Sequence, residues 1–212
     1  MIRRFPHLFL VWIVVCVVGV AGYTFWRLNT GWTFRFIPLV HGTVLGEYEG
    51  VTVHAYGWGD SVRGEYGLEY ECVELVNRYY VQVLGHRNLT KTGHADSYFW
   101  DAQAKGLQAF PNGGVDAPAI NDILVFDGGP KDGSIGHVAV VIEVDVQEGT
   151  ITFIEQNMKV FTDYVFERDV WKDSLPLTHL NGEWFVESGN YSFPIAGWSR
   201  PVNQSSPTRS QQ

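Results

Sequence analysis

The sequence places a cysteine, a histidine and a carboxylate in an order that suits nucleophilic catalysis. Cys72 opens a stretch with helical spacing, His137 opens an alternating apolar stretch, and the run EQN at 155–157 ends the next alternating stretch. A cysteine thiolate attacks an amide carbonyl when a histidine takes up its proton and a third polar group orients that histidine. This order predicts a thiol hydrolase. The alternative is that Cys72 is only a small packing residue.

The segment around Cys72 predicts the start of a helix. Apolar residues recur at helical intervals from residue 70 until Gly85 ends the pattern. Unpaired N–H groups and the positive end of the helix dipole favour a thiolate at this position, and they can stabilise an oxyanion. The carboxylates of Glu69, Glu71 and Glu74 disfavour the thiolate. Each exposed carboxylate contributes about 0.3–1 kcal/mol, comparable in size to the effect of the helix dipole and opposite in sign. Cys72 therefore needs a cationic partner.

The remaining patterns predict an α+β domain. Alternating apolar stretches indicate strands, and one further stretch with helical spacing indicates a second helix. The predicted strands are residues 51–56, 121–126, 137–144, 150–157, 183–188 and 195–200, the second helix is 97–109, a turn of helix lies within 167–174, and a loop covers 42–46.

His137 is the best candidate for the cationic partner. It follows GSIG at 133–136, whose glycines allow another backbone to approach closely. If the predicted strands 137–144 and 150–157 pair so that Val144 lies opposite Thr150, then Asn157 lies opposite His137 and Glu155 lies diagonal to it. Either side chain would then accept the proton on the far imidazole nitrogen. A bulge at Gly149 would reverse this placement.

The beginning of the chain predicts a membrane anchor. Residues 8–26 are 19 uncharged, mostly apolar residues between Arg3-Arg4 and Arg27, a length that crosses a bilayer as a helix. A cleaved signal peptide, with secretion of the rest, is the alternative, because Gly19-Val20-Ala21 resembles a cleavage site. Two arginines before the span against one after it predict that residues 1–7 are cytoplasmic and that the domain lies outside.

Beyond the anchor we expect a connector at 27–40, one domain at 41–202 and a polar, disordered tail at 203–212. Without the three arginines of residues 1–27, 12 Lys and Arg remain against 23 Asp and Glu, a net charge of −11. That charge disfavours binding to nucleic acid. The other cysteine, Cys16, lies within the anchor and cannot pair with Cys72. No spacing of Cys and His indicates a metal site, and no cofactor is expected.

The motifs resemble a known family. YECVELVNRYY at 70–80 resembles the QCVEFARR stretch of the CHAP amidases, the cysteine, histidine-dependent amidohydrolases and peptidases, and GHVAVVIEV and FIEQN resemble their histidine and acidic strands. Over roughly residues 41–200 the chain is similar to the amidase domain of glutathionylspermidine synthetase/amidase, which has counterparts of GTVLG and LQAFPNG. The resemblance implies a papain-like fold, with N-terminal helices packed on an antiparallel sheet.

The resemblance also implies roles for single residues. Cys72 is the nucleophile that forms a thioester, His137 is the general base and then the acid, and Glu155 is the orienting residue. Glu71 stands where the family often has a glutamine that polarises the carbonyl, and Asn77 stands where the glutathionylspermidine amidase has a substrate-holding arginine. Together with Asn157, these two residues are the candidates for substrate contact.

The implied substrate is an amide in peptidoglycan stem peptides or cross-bridges, or in a conjugate similar to glutathionylspermidine. An anchored domain outside the membrane favours the former, and the acidic composition favours a cationic substrate. The alternative is a catalytically inactive CHAP-like module that binds wall peptides or a membrane partner.

Overall fold

A computed structural model of the chain describes residues 16–23, 40–57, 59–87, 89, 93–129, 135–158 and 171–202. The chain divides into two compact units. One consists of residues 1–37 and 161–168, of which residues 16–23 are described; they are helical and mostly exposed. The rest of the predicted anchor, most of the connector and the predicted tail lie outside the described residues. Among the residues described, no helix combines the length and hydropathy needed to span a membrane.

In the other unit, residues 38–160 and 169–212, the strands among the described residues form two antiparallel sheets. The small sheet pairs β1 (Val44–Tyr48) with β2 (Val51–His54). The strands of the large sheet are β3 (Leu107–Pro111), β4 (Ile123–Phe126), β5 (His137–Asp145), β6 (Thr150–Ile154), β7 (Lys172–Leu180), β8 (Glu183–Val186) and β9 (Ile195–Pro201). Their spatial order is β3-β9-β4-β5-β6-β7-β8, and all neighbours are antiparallel. The prediction of helices combined with an antiparallel sheet is confirmed.

Helix α1 (Cys72–Gln82) lies on the large sheet against β5. Its apolar side chains repeat at helical intervals, so that Leu75, Val76, Tyr79 and Tyr80 are all almost fully buried. The helix predicted from residue 70 to the glycine at 85 is thus confirmed with slightly narrower bounds. Burial of this apolar face positions the first residue of the helix, Cys72, at one end of β5.

Strand β5 lies in the middle of the large sheet, and both of its faces are apolar. Val138 and Val140 pack with helix α1 in one core cluster, and Ala139 and Val141 belong to a second cluster on the opposite face. Alternate residues of a strand point to opposite faces, so a strand buried on both sides is an uninterrupted apolar run. The run from His137 to Ile142 is entirely buried.

Three predicted elements differ in the structure. The second helix divides into α2 (Ser97–Trp100) and a 3-10 turn (Ala102–Lys105), and residues 107–109 are strand. Gly106, with a φ of 70°, ends the turn, and pairing of Leu107–Pro111 with β9 prevails over the helical pattern. The helical turn expected within 167–174 is wrong for residues 172–174, which belong to β7. The loop expected at 42–46 contains the start of β1.

Candidate active site

Cys72 is the first residue of helix α1 and is buried, with 6% of its surface exposed. The residue before it, Glu71, is the N-cap and makes no side-chain bond to the helix end. The first backbone bond of the helix runs from the Leu75 N–H to the Glu71 carbonyl. The amides of the first turn therefore have no partner within the helix itself, which is the arrangement that favours an anion at a helix start.

His137, the first residue of β5, joins Cys72 to Glu155. Its Nε2 lies 3.0 Å from Oε2 of Glu155, and both side chains are at least 97% buried. Burial by itself would lower the pKa of His137, but Cys72 and Glu155, each hydrogen-bonded to the ring, raise that pKa to about 9. Since Nε2 contacts Glu155, Nδ1 is the ring nitrogen that remains for the hydrogen bond with Cys72. The geometry suits an imidazolium between a thiolate and a carboxylate.

A glycine brings His137 to this position. Gly136 has a φ of 65°, and a Cβ there would collide with the carbonyl oxygen of Phe126. Only a residue without a side chain allows β4 and the start of β5 to approach this closely. The Phe126 ring then lies 5.4 Å from the imidazole, centroid to centroid, and restrains its face.

The structure decides between the two possible partners of His137. Glu155 bonds to the imidazole, whereas the Asn157 amide donates to Oε2 of Glu71 at 2.6 Å. Strand β6 ends at Ile154, and Asn157 has a φ of 60°, so the EQN run leaves the sheet at this point. Asn157 is thus tied to the residue before the cysteine and not to the histidine.

Residues 61–157 match the family model of the CHAP domain, and this stretch contains Cys72, His137 and Glu155. The chain contains a CHAP domain. No curated protein matches the chain, and the narrower similarity to the glutathionylspermidine amidase domain is not confirmed by the comparisons and stays a prediction.

Three of the solved structures that resemble the chain are given by the names they carry. They are the endolysin LysIME-EF1 (16% identity, TM-score 0.38, 70% of this chain and 60% of that one), Ly7917 (18%, 0.34, 63% and 54%) and the N-acetylmuramoyl-L-alanine amidase from Staphylococcus aureus (20%, 0.35, 66% and 33%). The chain thus matches between about a third and three fifths of the length of these proteins.

A cavity of about 240 Å³ opens beside the thiol of the CHAP domain. Leu68, Val73 and Ile135 give it apolar walls, and Arg63 and Glu71 bring a charge of each sign to its lining. Apolar walls with a few charged groups are typical of sites that bind small molecules or peptides. Glu71, predicted to contact substrate, does lie in the lining of this cavity.

Asn77, the other predicted contact on helix α1, lies elsewhere. It is 1% exposed, its amide donates to the Tyr66 carbonyl at 2.8 Å, and its Oδ1 accepts from the Tyr98 hydroxyl at 2.7 Å. Both ends of the side chain are bonded within the protein, and the residue is not part of the cavity lining. Asn77 therefore holds the loop before the helix, and the structure gives no access for a substrate to it.

The negative charge expected around Cys72 is partly compensated by residues that the motifs did not reveal. Arg78 donates to the buried Glu74 carboxylate at 2.6 Å and 3.2 Å and to the Thr52 carbonyl at 2.7 Å. Gln156 donates to Glu74 at 2.9 Å and to the Glu71 carbonyl at 3.1 Å. The i, i+4 spacing of Glu74 and Arg78 was the available signal. These bonds join helix α1 to the EQN run, which also carries Glu155.

Proposed function

We propose that the CHAP domain is a cysteine amidase or peptidase that cleaves an amide bond of peptidoglycan stem peptides or cross-bridges. The observation that carries the proposal is the buried array in which His137 joins Cys72 to Glu155 beside an open cavity. Such an array keeps the nucleophile as a thiolate and holds a proton ready for the leaving amine. The match of residues 61–157 to the CHAP domain supports the same chemistry.

The reaction follows from these groups. The Sγ of Cys72 attacks the carbonyl carbon, and the N–H groups at the start of helix α1 stabilise the oxyanion. His137 gives its proton to the leaving nitrogen as the carbon–nitrogen bond breaks, which leaves a thioester on Cys72. Neutral His137 then takes a proton from water, the hydroxide oxygen attacks the thioester, and the carboxylic acid is released. Glu155 holds the imidazole in one orientation throughout.

The test uses the full-length chain in detergent with purified sacculi, synthetic stem peptides and a polyamine–peptide conjugate. We expect new amine termini from sacculi or stem peptides with the wild type and with Cys16→Ala, the matched cysteine control, and none with Cys72→Ala. Cleavage of the polyamine conjugate alone would overturn the choice of substrate. Equal results for wild type and Cys72→Ala on every amide would favour the inactive binding module.

The position of Glu71 predicts a preference for cationic substrates. Its carboxylate lies in the cavity lining beside Cys72 and is held by Asn157. A carboxylate there attracts an ammonium group close to the scissile bond, and a partly exposed pair of this kind contributes on the order of 1 kcal/mol. We therefore expect Glu71→Gln to reduce the ratio of kcat/KM for a lysine peptide to that for its acetyl-lysine counterpart by about fivefold.

The control for this prediction is Glu143→Gln, which removes the same charge from an exposed position on β5. It should leave the ratio of the two kcat/KM values unchanged. A ratio that is the same in Glu71→Gln and in wild type would contradict a role of Glu71 in substrate choice. Salt gives a second check, because screening should lower the preference of the wild type only.

We further propose that residues 8–26 anchor the protein in a membrane, with residues 1–7 in the cytoplasm and the CHAP domain outside. The uncharged run and the arginines before it support this arrangement. Protease added to intact spheroplasts should digest the domain while a tag at residue 1 survives. Protection of the domain would contradict the orientation, and release of the domain into the medium would favour a cleaved signal peptide.

A further inference from the structure

Glu155 has a second strong partner, on the side away from His137. Its Oε1 accepts a hydrogen bond of 2.7 Å from the hydroxyl of Tyr191, which lies between β8 and β9. The carboxylate is 1% exposed, and each of its two oxygens contacts one of these two side chains. A buried carboxylate with one oxygen left without a donor is costly, and it turns toward any other donor within reach.

The hydroxyl of Tyr191 is itself held in place. Its oxygen also lies 2.9 Å from Oδ2 of Asp173 on β7, and its ring lies 4.8 Å from the Phe126 ring and 6.0 Å from the Phe153 ring. Burial, followed by the carboxylates of Glu155 and Asp173, raises the pKa of Tyr191 far above its usual range. The hydroxyl therefore keeps its proton. This single hydrogen has two acceptors within reach, and the oxygen of Glu155 is the nearer of the two.

We propose that Tyr191 is a positioning residue of the active site: it fixes the Glu155 carboxylate so that Oε2 faces Nε2 of His137. This inference rests on the proposed amidase function. The titratable side chains that contact the carboxylate include His137 on β5 and Tyr191 after β8, and Tyr191 also contacts Asp173 on β7. Tyr191 does not line the cavity beside Cys72, so its effect on catalysis passes through Glu155 and His137.

The variant Tyr191→Phe tests this role because it removes one hydroxyl and keeps the ring between Phe126 and Phe153. In the full-length chain carrying Cys16→Ala, iodoacetamide reports Cys72 alone. We expect the midpoint of the alkylation rate against pH to rise by about one unit relative to the wild type, because a less fixed carboxylate stabilises the imidazolium less well. For amide hydrolysis we expect kcat to fall about 10- to 30-fold with KM unchanged.

Two further variants separate positioning from stability. Tyr79→Phe removes a buried hydroxyl that donates at 2.7 Å to Asn121, away from Glu155, and should lower Tm without moving the alkylation midpoint. Asp173→Asn leaves the Tyr191 hydroxyl to Glu155 and should keep the midpoint of the wild type. If Tyr191→Phe has the midpoint and kcat of the wild type, or raises KM alone, the proposal is wrong. It is also wrong if Asp173→Asn shows the same shift as Tyr191→Phe.

The alkylation measurement needs no substrate. A shift in Tyr191→Phe would therefore support the positioning role even if no amide were cleaved. In that case the proposed function would fail and the positioning role would not. Conversely, cleavage that requires Cys72 together with an unchanged midpoint in Tyr191→Phe would overturn only the positioning role.

Discussion

Replacement of His137 by alanine is expected to lower kcat for amide hydrolysis by about four orders of magnitude. In the proposed mechanism the imidazole stabilises the Cys72 thiolate and protonates the leaving nitrogen, and His137 is the residue that contacts both Cys72 and Glu155. The same variant should change the pH dependence of the thiol. Alkylation of Cys72 at neutral pH should be slower in His137→Ala than in the wild type, because only the thiolate reacts.

The wild-type pH profile follows from the raised pKa of His137. The imidazolium persists up to a pKa of about 9, and in the proposed mechanism it is the acid that protonates the leaving amine. Activity should therefore fall as pH rises through about 9, and on the acid side it should fall only where the Cys72 thiolate becomes protonated. Measurement of kcat/KM between pH 5 and pH 10 checks the sign. A profile that still rises through pH 9, or equal alkylation curves for wild type and His137→Ala, would mean that the two residues do not act as a pair.

Replacement of Arg78 by methionine is expected to destabilise the domain by about 3–5 kcal/mol. Methionine keeps much of the length of the side chain but leaves the Glu74 carboxylate, 6% exposed, without its cation. It also leaves the Thr52 carbonyl without its donor. A loss of this size corresponds to a fall in Tm of roughly 10 °C in a domain of this length. Thermal unfolding followed by circular dichroism measures it.

The matched control is Arg87→Met, at an exposed position beyond the end of helix α1. It should change the free energy of unfolding by less than about 0.5 kcal/mol. If Arg78→Met unfolds at the same temperature as Arg87→Met, the buried pair with Glu74 does not contribute to the stability of the domain. The hydrogen bonds that Gln156 donates to Glu74 and to the Glu71 carbonyl would then suffice to hold this region without the Arg78 cation.

The positions of His137 and Glu155 show how much of the strand register near the site can be predicted from the sequence pattern alone. The sequence predicted Glu155 diagonal to His137 from a pairing of Val144 with Thr150. In the structure Thr150 pairs with Asp145, and Ile142 is an extra residue that shifts the register. Beyond this bulge Val140 pairs with Ile154, which is the register first assumed. The assumed hairpin end was therefore wrong, because a bulge adds one residue without a local sequence signal, and the assumed register holds only as far as Val140 and Ile154, where β6 ends.

Local patterns determined the parts of the site that depend on one element. Helical spacing placed Cys72 at the start of a helix, alternation placed His137 at the start of a buried strand, and the motif around them identified the CHAP domain. These features follow from which face of a single helix or strand is apolar, and the amino-acid order contains that information directly.

Only the tertiary structure decided the partners that lie far apart in the chain. In the structure His137 contacts Glu155, and Asn157 donates to Glu71. Asn77 is bonded to Tyr98 away from the cavity, and Tyr191 donates to Glu155, which lies 36 residues earlier in the chain. Residues 107–109, predicted as helix, form a strand beside β9. Hydrogen bonds of this kind depend on sheet order, bulges and packing of distant segments, and the periodicity of a single segment carries no information about them.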